Sequence, residues 1–123
     1  MKLVNKKRLA RKKRALRIRK KLRGTADRPR LSVYRSLRNI SVQFIDDEEG
    51  STLGAISTLS PAFKEKYPNG GGTVEAAGNL GELAGAMATE LKITKVNFDR
   101  GGYRFHGRIK SLAEGCRKAG LIF

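Results

Sequence analysis

Residues 30–45, RLSVYRSLRNISVQFI, decide the fold. Leu31 and Val33 fall on one side of an extended chain, Ser32 and Tyr34 on the other. After a break at Leu37-Arg38-Asn39, Ile40, Val42 and Phe44 repeat the alternation. Apolar residues at a period of two mark a strand with one face buried. The break is short enough for a hairpin, so strands over 30–36 and 39–45 are predicted to pair antiparallel.

Toward the C-terminus, Asp46-Asp47-Glu48-Glu49-Gly50 reads as a polar turn into a third strand at about 51–59, which completes an antiparallel meander. Residues 60–73, with two of the three prolines and three successive glycines, read as a loop. Leu80, Leu83, Ala84, Met87 and Leu91 then fall on one helical face, with Met87 as core filler. Residues 94–98, TKVNF, are predicted as a fourth short strand, and 99–107 as a loop. The last helix turns Ile109, Leu112, Ala113 and Cys116 inward. A helix between the third and fourth strands permits a crossover, and hence a mixed sheet. The class is α+β, a two-layer α/β sandwich with helices packed on the sheet.

Upstream of the hairpin the composition changes abruptly. Residues 1–30 hold 15 Lys and Arg against Asp27 alone, a net of +14, whereas the remaining 93 residues net only +2. Like charges at this density repel, and a polyanion that releases condensed counterions relieves them. The boundary falls at Arg28-Pro29-Arg30, where the proline favours extended chain, giving an arm over 1–27 and a globular domain over 28–123. Residues 5–22 lack Gly and Pro and are rich in helix formers, with a thin stripe of Leu9, Ala15, Leu16, Ile18 and Leu22. Asn5 is the expected N-cap and Gly24 the expected stop. The arm is expected to be a helix that is loose when free and orders on phosphates. Residues 1–23 contain no Trp, Phe or Tyr, which argues against a membrane-surface helix.

The candidate contacts in the arm and at its exit are Lys6, Lys7, Arg8, Arg11, Lys12, Lys13, Arg14, Arg17, Arg19, Lys20, Lys21, Arg23, Arg28 and Arg30. Tyr34 and Arg35 on the first strand are further candidates, weighed against a tyrosine that is simply exposed or packed on a turn. A second cluster lies in the 99–108 loop. Gly101 and Gly102 let a backbone approach a phosphate, with Gly107 a further candidate contact; Arg100, Arg104 and Arg108 offer planar forks; Tyr103, Phe105 and His106 can stack on unpaired bases. Of the aromatics, Phe105 is the one most readily given up to the core, and Asp99 is expected to bond to its own loop or to pair with Arg100 or Arg104.

The same residues exclude much. The chain is too short for a large multidomain enzyme and has no apolar stretch near the roughly 20 residues of a membrane span. No apolar block follows the charged N-terminus, so no secretory signal is expected, and a single cysteine fits a cytosolic chain. One histidine, no P-loop and no convergent carboxylates leave no expected catalytic, metal or cofactor site and no small-molecule substrate. A carboxylate–metal nuclease is therefore a poor fit, and a general basic architectural protein on nucleic acid is the alternative to a specific RNA binder.

Arg23-Gly24-Thr25, Arg28 to Val33, Asn39-Ile40 to Asp46-Asp47, Thr94-Lys95-Val96, Phe98 to Tyr103 and His106-Gly107-Arg108 occur in the order of a known family. Along nearly its whole length the chain resembles the bacterial large-subunit ribosomal protein eighteen family. The resemblance implies a structural protein of the ribosome's central protuberance that binds 5S rRNA and helps attach it to 23S rRNA. Large-subunit ribosomal protein five and other central-protuberance proteins are implied neighbours. The family's RNA-contacting segments correspond here to Lys6 through Arg23, to Arg28 and Arg30, and to Arg100 through Arg108.

Overall fold

The computed structural model describes residues 3–123, so the first two residues of the expected arm lie outside the described residues. Helix α1 (Leu3–Lys21) is followed by strands β1 (Arg30–Arg35), β2 (Ile40–Asp46) and β3 (Ser51–Ser57). Then come the short helix α2 (Pro61–Lys66), helix α3 (Val74–Glu90), strand β4 (Asn97–Asp99) and helix α4 (Gly107–Lys118).

The hairpin forms as its alternation predicts. Leu31 faces Phe44 and Val33 faces Val42 across an antiparallel ladder. Ser36 closes the turn, its N–H donating to the Asn39 carbonyl (2.9 Å) and its hydroxyl accepting from the Asn39 N–H (3.1 Å). At the next turn the Asp46 carboxylate accepts from the Glu48 and Glu49 N–H groups at 3.0 and 3.3 Å. That local bonding makes the acidic run a turn. A register shift at Phe44/Ile45 follows on the β2–β3 ladder. β4 pairs parallel with β1, so the sheet is mixed, in the order β3-β2-β1-β4.

Helices α3 and α4 cover one face of the sheet. Leu31, Val33, Ile40, Val42, Phe44 and Ile56 meet Ala77, Leu80, Ala84, Ile109, Leu112 and Cys116 in one buried cluster. The two helices approach closely through glycines: a Cβ on Gly81 would overlap the Leu112 carbonyl, and one on Gly115 the Gly78 carbonyl. Thr73 caps α3, its hydroxyl accepting from the Ala76 N–H at 3.0 Å. Burial pushes the Cys116 thiol up to about 12, as suits a small apolar core residue with no activating partner. On the opposite face of the sheet Ser32 and Ser41 are half-buried, while Tyr34 and Gln43 are exposed.

Several expectations need correction. Asn5 is not an N-cap, because α1 is already helical at Leu3, and the helix ends at Lys21 rather than at Gly24. The 60–73 loop contains α2, opened by Pro61 and held by fully buried Phe63. β4 starts three residues later than predicted because the Val96 N–H bonds to the Ile122 carbonyl (3.1 Å) beside an isolated Lys95–Ile122 bridge. Leu91 lies at the C-cap of α3 and is 42% exposed, outside the apolar face assigned to it.

Candidate nucleic-acid interface

Of the predicted stripe on α1, only Ala15 is buried; Ile18 and Leu22 are half-buried, while Leu9 and Leu16 are exposed. The helix is held instead by polar contacts to the loop after β4. Arg11 donates to the Gly101 carbonyl (3.2 Å) and Arg14, through Nε, to the Gly102 carbonyl (3.1 Å). Gly102 has φ +79°, and a Cβ there would sit 2.5 Å from the Arg11 carbonyl oxygen and 3.1 Å from the Ala15 nitrogen. Glycine is thus required twice over, by conformation and by the close approach of α1. Gly101 is also buried, beside the Val33 carbonyl. Of the two glycines expected to admit a phosphate, Gly102 admits the arm and Gly101 lets the loop close against β1 and the Tyr103 ring.

Of these two aromatics it is Tyr103, not Phe105, that turns inward. Tyr103 is 6% exposed; its hydroxyl accepts from the Arg35 N–H and donates to the Arg35 carbonyl, each at 3.1 Å. The Arg11 and Arg35 guanidinium groups lie on its ring, 4.7 and 4.8 Å from the centroid. Tyr103 therefore joins arm, loop and β1 and has no face free for a base. Phe105 is 42% exposed and stands edge-on to Phe98, centroids 6.4 Å apart.

Beneath the loop lies a buried ion cluster. Asp99 is fully buried, accepts from the Gly101 N–H (2.8 Å) and pairs with Arg30 (2.7 Å), with Arg19 at 3.8 Å. Its own-loop bond is as expected; Arg100 and Arg104 are not its partners. Arg30 also grips both oxygens of Asp47, at 3.0 and 3.1 Å, and Asp47 accepts from the Gly24 N–H at 2.7 Å. Bonding to Asp47 raises the Arg30 pKa, and the same bond, followed by the Gly24 N–H, holds the Asp47 carboxyl below its ordinary value. Arg30 is only 8% exposed, so its guanidinium ties strand, turn and arm root together rather than facing outward. Gly24 belongs to this knot: a Cβ there would overlap the Arg30 nitrogen and the Ile45 carbonyl. Sequence reading missed Asp47, placed there in a polar turn. Its signal lies in the hairpin register, where Arg30 faces Ile45, two residues before Asp47.

The remaining cations face outward. Lys6, Lys7, Arg8, Lys12, Lys13, Arg17, Lys20, Lys21 and Arg23 are exposed and, among the described residues, form no ion pair. Arg28, also exposed, donates to the Asn97 side chain at 2.8 Å. Tyr34 is 59% exposed beside exposed Arg35. Arg108 is half-buried and donates to the Ser36 carbonyl (2.9 Å); burial lowers its pKa, and the Arg35 charge adds to that. Exposed His106 precedes α4 without a side-chain capping bond, and Gly107 opens that helix at φ +54°.

Where α1 passes the loop there is an open groove of about 750 Å³. Arg14, Arg17, Ile18 and Lys21 line it from the helix. Arg100, Gly102, Tyr103, Arg104 and Phe105 line it from the loop. Five cations from two distant segments thus share one groove, with no carboxylate among the described lining residues. A smaller groove of about 540 Å³ runs along the other flank of α1, past Leu16, Arg19, Lys20 and Arg23, with Arg30 and the Asp47 carboxylate in its lining. Such a surface attracts a polyanion and supplies apolar area beside the charge.

Residues 5–123 match the family described as ribosomal L18 of archaea, bacteria, mitochondria and chloroplast. The chain is 57% identical over 111 residues to the large ribosomal subunit protein uL18 of Desulforamulus reducens, covering 90% of each chain. It is 53% identical over 113 residues to that of Bacillus cytotoxicus, covering 92% of each. The corresponding protein of Thermomicrobium roseum is 50% identical over 113 residues, 92% of this chain and 91% of its own.

Proposed function

The chain belongs to the ribosomal L18 family, and from that premise we propose that it binds 5S rRNA and helps attach it to 23S rRNA in the central protuberance. Membership itself makes the chain a structural, non-enzymatic component of the large subunit of the cytoplasmic ribosome, with ribosomal RNA and ribosomal proteins as partners. No helix among the described residues is long and apolar enough to cross a membrane.

The observation that carries the RNA reading is the groove. Two segments some 80 residues apart, separately basic in the sequence, line it with Arg14, Arg17, Lys21, Arg100 and Arg104. We assign phosphate contacts to the outward cations of the arm, Lys6 through Arg23, and to Arg28. Shape recognition falls to Arg100, Arg104, His106, Gly107 and Arg108, with Tyr34 and Arg35 at the sheet margin. Arg30, Gly101, Gly102 and Tyr103 act one step back, holding arm and loop in register. Large-subunit ribosomal protein five is the neighbour proposed on the same RNA.

A titration against 5S RNA, with duplex DNA and an unrelated structured RNA as competitors at two salt concentrations, tests this. A 5S preference that survives the higher salt is expected. Equal affinity for all three, collapsing with salt, would instead mark a general basic architectural protein.

A further inference from the structure

The groove between α1 and the 100–105 loop differs from the smaller groove along α1, whose apolar lining is Leu16 alone, in holding an exposed aromatic ring. Phosphates need only cations, yet Phe105 and Ile18 line this groove beside Arg14, Arg17 and Arg104. Resting on the RNA-binding reading above, we propose that the groove takes one unpaired nucleotide of the RNA, its base against Phe105 and its phosphate among those arginines.

Three features argue for that occupant. The groove's volume of about 750 Å³ lies within the ordinary range of small-ligand sites, roughly 300–1,000 Å³. A continuous duplex presents mainly phosphates and sugars to a protein, for which an apolar floor does nothing; a base drawn out of its stack offers a π-face. The Phe105 ring is also held in place before any ligand arrives. It stands edge-on to Phe98, at an interplanar angle of 86°, and Phe98 stacks on Phe123 at 5.1 Å and 13°. An exposed aromatic fixed in a cationic groove is the arrangement by which single-stranded nucleic acid is bound. Arg14 fits the phosphate role because only its Nε is engaged, by Gly102.

The competing role for Phe105 is a cover over Phe98 with no part in binding. Phe105→Leu keeps such a cover but loses the stacking ring, and Phe105→Tyr keeps both. Two RNA hairpins serve as probes for the full-length protein, identical except that one carries a single unpaired adenosine, replaced by 2-aminopurine for fluorescence.

Wild type is expected to bind the bulged hairpin about tenfold more tightly than the paired one, with quenching of the 2-aminopurine. Phe105→Leu should bring that ratio to within about twofold and remove the quenching, and Phe105→Tyr should restore both. Leu59→Ala, on an exposed residue outside the groove, should keep the wild-type ratio. Equal binding of the two hairpins by wild type, or a full ratio retained by Phe105→Leu, overturns the proposal.

A parallel 5S RNA titration separates the two ideas. If wild type prefers 5S RNA but binds both hairpins alike, the nucleotide groove is wrong and the ribosomal RNA reading stands. If it shows no 5S preference yet keeps a bulge ratio sensitive to Phe105, the groove is supported and the 5S reading is wrong.

Discussion

Helices α1 and α3 are of similar length, 19 and 17 residues, and are opposite in every other respect. α3 carries three glutamates and no Lys or Arg, and it buries Ala76, Ala77, Leu80, Gly81, Ala84, Gly85 and Ala88. α1 carries eleven Lys or Arg and no acid, and of its described side chains only Ala15 is buried. The first finds its partner inside the chain, where apolar area leaves water. The second meets the domain through Ala15, through Arg11 and Arg14 on glycine carbonyls, through Arg11 on the Tyr103 ring and through Arg19 beside Asp99, and keeps most of its charge outward. A helix with no apolar period, held by so few contacts, is built for a partner that brings charge of the opposite sign.

Removing α1 is the strongest way to break this comparison. Neutralising about 6–10 phosphates makes affinity fall by roughly 10³–10⁵-fold between 50 and 200 mM salt. Deleting residues 1–23 is expected to flatten that slope by nearly one unit per lost phosphate contact, while the ranking of RNAs persists. A slope unchanged by the deletion, with the ranking lost, would reverse the division of labour between arm and loop.

Next in size is the knot that ties the arm's root to the sheet. Asp99→Ala leaves Arg30 buried with Asp47 alone and strips the Gly101 N–H of its acceptor. Breaking a buried pair from one side costs about 3–5 kcal/mol, so urea unfolding should shift by that order. A shift below about 1 kcal/mol would mean that water replaces the lost carboxylate.

A substitution on α3 sharpens the contrast at smaller scale. Gly81→Ala pushes a methyl group into the Leu112 carbonyl across the α3–α4 seam. Overpacking of this kind costs about 1–3 kcal/mol, expected as a lower denaturant midpoint with an unchanged slope. Weakened RNA binding by folded protein carrying this change would contradict a purely internal role for α3.

What was legible in the sequence follows the same division. Strands β1 and β2 and helix α3 announce themselves because Leu31 and Val33, Ile40, Val42 and Phe44, and Leu80, Leu83 and Ala84 repeat at periods set by their own backbones. α2 does not, since six residues with one buried phenylalanine establish no period. The start of β4 depends on Ile122, at the far end of the chain, taking the Val96 N–H. The site was legible as charge and glycine but not as geometry. Tyr103 and Phe105 look equivalent in a list of residues. Which one turns inward is settled by the positive φ angles at Gly101 and Gly102 and by Arg11 arriving from α1. The Arg30–Asp47 pair was hidden for a similar reason: it forms only once the β1–β2 register is set.

Asp47 yields the smallest effect and bears most directly on how arm and domain are joined. Its carboxylate accepts from Arg30 and from the Gly24 N–H, so it links the root of the arm to the first strand. Arg30 above all, and then Gly24, hold its pKa below the ordinary 3.8. The unfolded chain, with the ordinary value, takes up a proton at higher pH than the folded one. The stability that Asp47 contributes is therefore complete well above pH 4 and drains away as the pH falls through the depressed folded value. Asp47→Asn keeps the size of the side chain and removes the titration. Urea midpoints for wild type and Asp47→Asn should differ most near pH 7, begin to converge below about pH 4 and meet only below the depressed folded value. Parallel acid limbs for the two proteins would show that Arg30 is held by Asp99 alone, and that the arm's root is fastened by the Gly24 backbone without help from charge.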